Sequence, residues 1–208
     1  MNKSKFFKAV AMFALAVTLF MSAKVDSYAM SDVAQQHVRQ LTQEEIEVIS
    51  RVFNPTYYAN RYPDVAAAFG NDETALFTHF IVFGIWEQRQ PTAEFNVDAY
   101  ATRNPDLQYA IGDDIVAYYI HYASYPAERS VRALPTLEDS YYHDTDVYSV
   151  YDFVKGQYGP KAGAVPVQTR NYHPALNFKS NDPVSEVDYY KNLDKAEAYR
   201  QFNGYYDN

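Results

Sequence analysis

Apolar residues recur at helical spacing near the start of the central region and follow clear helix-start signals. Thr42 with Glu45 three positions later forms a capping-box pattern, in which each side chain satisfies a free backbone donor of the other residue. Ile46 and Ile49 then follow with the period of an amphipathic helix. An earlier helix is expected from about Asp32 to Gln40. This part of the chain therefore predicts two short helices.

The next stretch is divided by proline and glycine into three further helical pieces. Asn54 before Pro55 is typical of an N-cap followed by proline at the first helical position. A second helix begins at Pro63, because the residue before a proline avoids the helical region. Gly70 is placed to end that helix, and Asp72 to cap a third. The pattern predicts three short helices in succession.

The sequence repeats this pattern with a period of 42 residues. When Phe53–Phe83 is aligned with Phe95–Tyr125, 12 of the 31 pairs are identical. The identical pairs are Phe53/Phe95, Asn54/Asn96, Tyr58/Tyr100, Ala59/Ala101, Arg61/Arg103, Pro63/Pro105, Asp64/Asp106, Ala68/Ala110, Gly70/Gly112, Asp72/Asp114, Ala75/Ala117 and His79/His121. We therefore expect an all-α fold built on two copies, residues 53–91 and 95–133, with the N-terminal helices as caps.

The first 29 residues have the pattern of a cleavable secretory signal peptide. Lys3, Lys5 and Lys8 lie near the start, and an apolar stretch follows from Ala9 to Met21. Ser27 and Ala29 supply the small residues of a cleavage site. The apolar stretch is too short to span a bilayer, which takes about 20 residues. The sequence therefore predicts a leader at 1–29 and an extracellular or cell-wall location.

The last third of the chain has a different character. Residues 134–208 carry frequent prolines and many tyrosines. One helix is expected from Thr145 to Lys155, an extended loop from Gly156 to Lys179, and a last helix between Asp182 and Gly204. We expect a helical domain at 30–133 followed by a Tyr-rich, partly irregular extension at 134–208.

Charge and composition exclude several classes of function. The formal net charge is −8 and no cluster of Lys or Arg follows the leader, which disfavours nucleic acid as a partner and leaves at most a peripheral contact with membranes. Cysteine is absent, so disulfides, thiolate metal sites and a cysteine nucleophile are excluded. No cofactor motif is present.

The two copies resemble a tandem helical repeat of exported bacterial surface proteins, with the pattern Phe-Asp-x-x-Tyr-Tyr, then Pro-Asp-Val/Leu-x-x-Ala-x-Gly, then His-Tyr-x-x-x-Gly-x-x-Glu-Gly-Arg. The matching residues are Phe53, Tyr57, Tyr58, Pro63, Asp64, Val65, Ala68, Gly70, His79, Phe80, Gly84, Glu87 and Arg89, and in the second copy Phe95, Tyr100, Pro105, Asp106, Leu107, Ala110, Gly112, His121, Tyr122, Glu128 and Arg129. Asn54, Gln88 and Pro126 depart from it. The resemblance covers about 80 of the 208 residues, implies a secreted or surface context, and brings no active site with it.

Six residues at equivalent places in the copies are candidates for a site: Tyr58, Asp64 and His79, and Tyr100, Asp106 and His121. The two histidines are open to a metal-binding or acid–base role. The alternative is a structural histidine that bonds a backbone carbonyl or the nearby aspartate. Because the repeat places the histidines one unit apart, the structural role is favoured. The aspartates are expected at helix starts, with Arg61 and Arg103 as their partners.

Two further features bear on function. His143, Asp144 and Asp146 form a dense cluster that could bind a divalent ion, but it also fits a helix cap with solvated acids, and no metal is predicted. The chain has 21 tyrosines, whose rings suit recognition of sugars or proteins. Those assigned to binding are Tyr141, Tyr142, Tyr205 and Tyr206.

The sequence favours a non-catalytic interaction module of the cell envelope, without a cofactor, that binds wall glycan or a surface protein. Motifs of hydrolytic enzymes are absent, although acidic residues are plentiful enough to leave a secreted hydrolase open. A self-assembling extracellular matrix protein is the other alternative, because exposed tyrosines could also join copies of the chain.

Overall fold

The computed structural model describes residues 30–126, 132, 136–142 and 145–169. Within these ranges the regular structure is helical and no β-strand forms, which confirms the predicted all-α class. The chain divides between Thr92 and Ala93 into two compact units. In the described part, no helix combines the length and apolar character that crossing a membrane requires. The predicted leader and the predicted last helix lie outside the described residues.

Short helices make up both units. The first contains α1 (Asp32–His37), α2 (Gln43–Ile49), a 3₁₀ turn (Ser50–Val52), α3 (Pro55–Arg61), α4 (Pro63–Phe69), α5 (Glu73–His79) and a π-helical turn (Phe80–Gly84). The second contains α6 (Val97–Arg103), α7 (Pro105–Ile111), α8 (Ile115–Ser124), α9 (Leu137–Tyr142) and a 3₁₀ turn (Val150–Asp152).

The helix starts are capped as the sequence predicts. The Asn54 side chain accepts a hydrogen bond of 2.9 Å from a backbone N–H in the first turn of α3, and Asn96 does the same for α6 at 3.0 Å. Thr42 and Glu45 form the complete capping box of α2. Asp72 caps α5 with two such bonds. These local bonds explain why such short segments form separate helices.

A cluster of three aromatic rings packs in each unit. The rings are Phe53, Tyr58 and Phe80 in the first unit and Phe95, Tyr100 and Tyr122 in the second. Their centroids lie 5.2–5.5 Å apart in the first unit and 4.2–5.5 Å apart in the second. These separations are typical of favourable aromatic packing.

The adjacent tyrosines Tyr118 and Tyr119 are both fully buried. Adjacent residues on a helix point about 100° apart, so both members of such a pair rarely face one narrow core stripe. Here both are buried, because α8 is covered on more than one side. The Tyr118 hydroxyl donates a hydrogen bond of 3.0 Å to the Gly112 carbonyl, which satisfies its polar atom.

Residues 145–169, the segment that follows α9, pack on α6 and α7. They do not form the helix predicted from Thr145 to Lys155. Its backbone N–H groups are taken by side chains of α6: Val150 donates to Asp98 at 2.8 Å, and Tyr148 donates to Thr102 at 3.0 Å. Only the 3₁₀ turn forms in this stretch. Polar side chains of a neighbouring helix therefore replace the hydrogen bonds that a helix would have made.

Gly112 is expected to tolerate alanine far less well than its counterpart Gly70. Both have positive φ angles, +70° and +58°, which strain an L residue by about 1–3 kcal/mol. A Cβ at Gly112 would also lie 2.5 Å from the backbone nitrogen of Lys155, whereas one at Gly70 meets nothing within 4 Å. Denaturant unfolding should therefore show the larger loss for Gly112→Ala. Equal losses would contradict this close packing.

Candidate functional site

Tyr58 and His79 form the buried polar centre of the first unit. The tyrosine hydroxyl and His79 Nδ1 share a hydrogen bond of 3.0 Å, and Tyr100 and His121 repeat it at 3.0 Å in the second unit. The partners expected from the sequence were a backbone carbonyl or the nearby aspartate, and the tyrosine was not predicted. His79 is 2% exposed, and burial together with the charge of Arg89 lowers its pKa to about 4. It is therefore a neutral packing residue near neutral pH.

Acid should destabilise the first unit through His79. The unfolded imidazole has its ordinary pKa of 6.5, so the folded form with a pKa of about 4 resists protonation. The free energy of unfolding is therefore unaffected by His79 titration above pH 6.5. It decreases by on the order of 3 kcal/mol as the pH falls toward 4, because the unfolded imidazole gains a proton that the folded one resists. Urea unfolding across this range should show a flatter pH dependence for His79→Gln. An unchanged slope in the variant would count against this role.

Arg89 is the centre of a buried charge network. Its side chain, 6% exposed, contacts Asp64 at 2.8 Å and Glu87 at 2.6 Å, and its guanidinium lies 4.8 Å from the ring centre of Tyr62. Burial opposes the ionised form of Asp64, but hydrogen bonds from Arg89 outweigh it and hold its pKa below the usual value. Burial raises the pKa of Glu87, whose Oε1 has no hydrogen-bond partner.

The second unit has the corresponding ion pair at a different sequence position. Asp106 is paired with Arg132 at 2.9 Å, whereas the sequence match pointed to Arg129, which lies outside the described residues. The expected partner Arg103 donates to the Thr145 hydroxyl at 2.7 Å. In the first unit the arginine that bonds the aspartate follows α5, and in the second unit it follows α8.

In the first unit, the predicted repeat residues bond one another and are largely buried. Tyr58 and His79 are sealed in the core, and Asp64 is bonded by Arg89. A group that is buried and satisfied has little capacity to bind a ligand. A ligand site is therefore expected among the exposed residues.

The second unit contains an open cleft of about 520 Å³. Its walls come from α6, α7 and the segment after α9. The lining residues are Thr102, Pro105, Gln108, Thr145, Asp146, Tyr148, Phe153, Tyr158, Gly159 and Pro160. The lining combines aromatic rings with polar side chains, of which Gln108, Thr102 and Thr145 already hydrogen-bond within the fold.

Gln108 fixes the loop that forms one wall of this cleft. Its side-chain amide donates to the carbonyls of Ala101 at 2.8 Å and Thr102 at 2.9 Å, and its oxygen accepts from the Gly159 N–H at 2.9 Å. Gln108 is buried, so these bonds are shielded from water. The loop is therefore tied to α7 by a side chain for which the first copy has Ala66.

Tyr158 lies at the cleft with its ring stacked on Tyr109. The ring centroids are 5.0 Å apart with an interplanar angle of 27°. The two side chains are nevertheless among the most exposed tyrosines described, at 48% for Tyr109 and 69% for Tyr158. The loop is also held to α7 by the Gly156 N–H, which donates to the Tyr109 carbonyl at 2.8 Å. The stack presents a supported aromatic surface to solvent.

A second cavity, of about 330 Å³, lies between α6, α9 and the end of the segment. Its polar lining groups already serve the fold: Asp98 accepts from Val150, Asn96 caps α6, and Gln168 donates to the Leu137 carbonyl at 2.8 Å. We regard it as a packing feature.

The structure does not place the four predicted binding tyrosines in a site. Tyr141 and Tyr142 end α9, and their side chains are not described, while Tyr205 and Tyr206 lie outside the described residues. The sequence did not single out Tyr148 and Tyr158, which line the cleft, or Tyr109, which stacks on Tyr158. The signal in the sequence that could have indicated this site was Tyr158 between Gly156 and Gly159, because functional residues commonly lie on loops.

The metal cluster weighed from the sequence is described only in part. Asp146 lines the cleft, whereas His143 and Asp144 lie outside the described residues. Over the ranges that the structure covers, no three histidine or acidic side chains are grouped so that they could hold a metal ion.

Comparison with protein-family models, curated proteins and solved structures finds no match to this chain. What the protein does is therefore inferred from its own residues. The cleft and its tyrosine stack are the features that bear on that inference most directly.

Proposed function

We propose that this chain is an exported, non-catalytic module of the cell envelope that binds glycan in the cleft of its second unit. The observation that carries the proposal is the exposed ring of Tyr158, backed by Tyr109, beside a cavity lined with hydrogen-bonding groups. A pyranose ring has an apolar face that packs on an aromatic ring, while its hydroxyls need polar partners. The cleft places the exposed ring of Tyr158 beside polar side chains.

Hydrolysis of a bound glycan would need more acidic groups than the described lining provides. Among the described lining residues, Asp146 is the one carboxylate. Glycoside hydrolysis usually requires two carboxyl groups on either side of the bond, about 5 to 9.5 Å apart. The described lining offers one, so hydrolysis would need a second acid from another part of the chain.

We further propose that the chain is a duplication with a period of 42 residues, related to the tandem helical repeats of exported bacterial surface proteins. The equivalent aromatic clusters, the two Tyr–His hydrogen bonds and the two Asp–Arg pairs support this duplication. In this proposal α1 and α2 cap the array, and the Tyr-rich extension supplies the cleft wall. The leader at 1–29 directs the protein out of the cell.

The second copy is suited to receive this extension where the first is not. Asp98, Thr102 and Gln108, which bond the extension, replace Thr56, Asn60 and Ala66 of the first copy. These substitutions explain how a repeated unit could acquire a ligand site in only one of its copies.

The direct test is retention of purified residues 30–208 on insoluble cell-wall glycan, with and without protease treatment of the wall. Retention that survives removal of wall protein supports glycan binding. Retention abolished by that treatment would move the ligand to a surface protein. Release of sugar fragments would favour a hydrolase, and concentration-dependent oligomers without retention would favour a self-assembling matrix protein.

A further inference from the structure

Two tyrosines of the second unit lie with their rings stacked and open to solvent. They are Tyr109 of α7 and Tyr158 of the loop that forms one wall of the cleft. The ring centroids are 5.0 Å apart and the ring planes are 27° apart. Both side chains are exposed. An oxidant in solution can therefore reach both phenols, and the two rings are already neighbours when it does.

Hydrogen bonds on either side of Tyr158 hold it beside Tyr109. The Gly156 N–H donates to the Tyr109 carbonyl at 2.8 Å, and the Gly159 N–H donates to the side-chain oxygen of Gln108 at 2.9 Å. The loop is thus tied to two successive residues of α7, once before Tyr158 and once after it. The meeting of the two rings is therefore built into the folded backbone.

Two other tyrosine pairs with neighbouring rings lie in the core. The rings of Tyr58 and Tyr62 are 4.9 Å apart, and those of Tyr100 and Tyr122 are 5.5 Å apart. Tyr58, Tyr100 and Tyr122 are buried, and the Tyr58 hydroxyl is bonded to His79. Each pair is therefore shielded from an oxidant in solution, whereas the stack on α7 is open on both rings.

We propose that Tyr109 and Tyr158 are a modification site, at which oxidation joins the two rings as dityrosine. The oxidant is hydrogen peroxide, used by a haem peroxidase that is a separate protein. Each phenol gives up one electron and its hydroxyl proton, and the two phenoxyl radicals form a carbon–carbon bond between positions next to their oxygens. The ring hydrogens at those carbons then move to the oxygens and restore both phenols, while one peroxide is reduced to two waters.

The geometry favours coupling within one chain over coupling between chains. A radical on either ring has its partner ring centred 5.0 Å away, whereas a tyrosine of another copy must first diffuse to it. The new bond closes a loop between residues 109 and 158 and restricts the unfolded chain, as a disulfide does. The chain contains no cysteine, so a tyrosine cross-link supplies a covalent staple that a disulfide cannot.

The test treats the purified protein with a haem peroxidase and hydrogen peroxide, isolates the monomer, and maps its peptides by mass spectrometry after proteolysis. We expect a joined peptide that links Tyr109 to Tyr158 and weighs two hydrogens less than its parts. Tyr109→Phe and Tyr158→Phe keep the rings but lack a phenol, so each should remove this peptide. Tyr125→Phe removes an exposed phenol of the same unit outside the stack and should retain it.

A second measurement follows the consequence for stability. The urea midpoint of the oxidised wild-type monomer should rise above that of the untreated protein, and oxidised Tyr158→Phe should show no such rise. An unchanged midpoint in fully cross-linked protein overturns the stapling role.

Absence of the joined peptide from the folded, oxidised protein overturns the modification site itself. Cross-links that are spread over the tyrosines without preference, or that form mainly between copies, overturn it as well, because the stack then gives no advantage. Glycan binding is not involved in either readout, so this inference and the proposed function stand or fall separately.

Discussion

Replacing Arg89 with methionine is expected to destabilise the first unit by about 3–5 kcal/mol. The guanidinium is nearly inaccessible and holds Asp64 and Glu87 together. Without it, the Glu87 carboxylate remains buried with no partner for either oxygen among its recorded bonds. An uncompensated buried charge is far more costly than the loss of an exposed ion pair.

Arg132→Met is the matched control for this prediction. Arg132 bonds Asp106 and the Asn104 amide oxygen, and the Asp106 side chain is 61% exposed. Water can replace the lost contact, so the expected cost is about 0–1 kcal/mol. Denaturant unfolding of the two variants gives the comparison. Adding Glu87→Gln to Arg89→Met should recover part of the loss, since it removes the stranded charge. Similar costs for the two arginines would refute the distinction between them.

Tyr158→Ala is expected to weaken glycan binding by on the order of thirtyfold, because tyrosines at the centre of a contact commonly carry more than 2 kcal/mol of binding energy. The ring is 69% exposed, so its removal should change the free energy of unfolding by less than about 0.5 kcal/mol. Tyr158→Phe keeps the stacking surface and should keep most of the affinity. Titration calorimetry and thermal unfolding together measure both effects.

The control for this change is Tyr125→Ala. Tyr125 is also exposed, at 52%, and belongs to the same unit, but it does not line the cleft. Its removal should leave glycan affinity unchanged. If both variants bind as the wild type does, the tyrosine stack is not the binding surface. A parallel loss in both would indicate diffuse adhesion to aromatic side chains.

The helices themselves could be predicted because their signals are local. Asn54 and Asn96 cap the helices that follow them, and Pro63 and Pro105 start new ones, through bonds and steric limits within a few residues. Such interactions do not depend on the rest of the fold. The all-α class follows from them.

The partners of these residues could be predicted less well. The aspartates were expected to meet Arg61 and Arg103, but they meet Arg89 and Arg132. Each of these arginines lies 25 or 26 positions further along the chain than its aspartate. Whether residues so far apart in the chain come into contact depends on how the helices pack. The spacing of residues within one helix carries no information about that packing.

For α2 to α8 the sequence by itself determined where each helix begins, because capping and proline act within one turn. Only the tertiary structure decided the fate of the stretch from Thr145 to Lys155. Its local pattern favours a helix, but Asp98 and Thr102 take its backbone donors from outside. The same long-range bonds, with Gln108, form the cleft and bring Tyr158 to Tyr109. A site made by side chains distant in sequence exists only once the chain is packed.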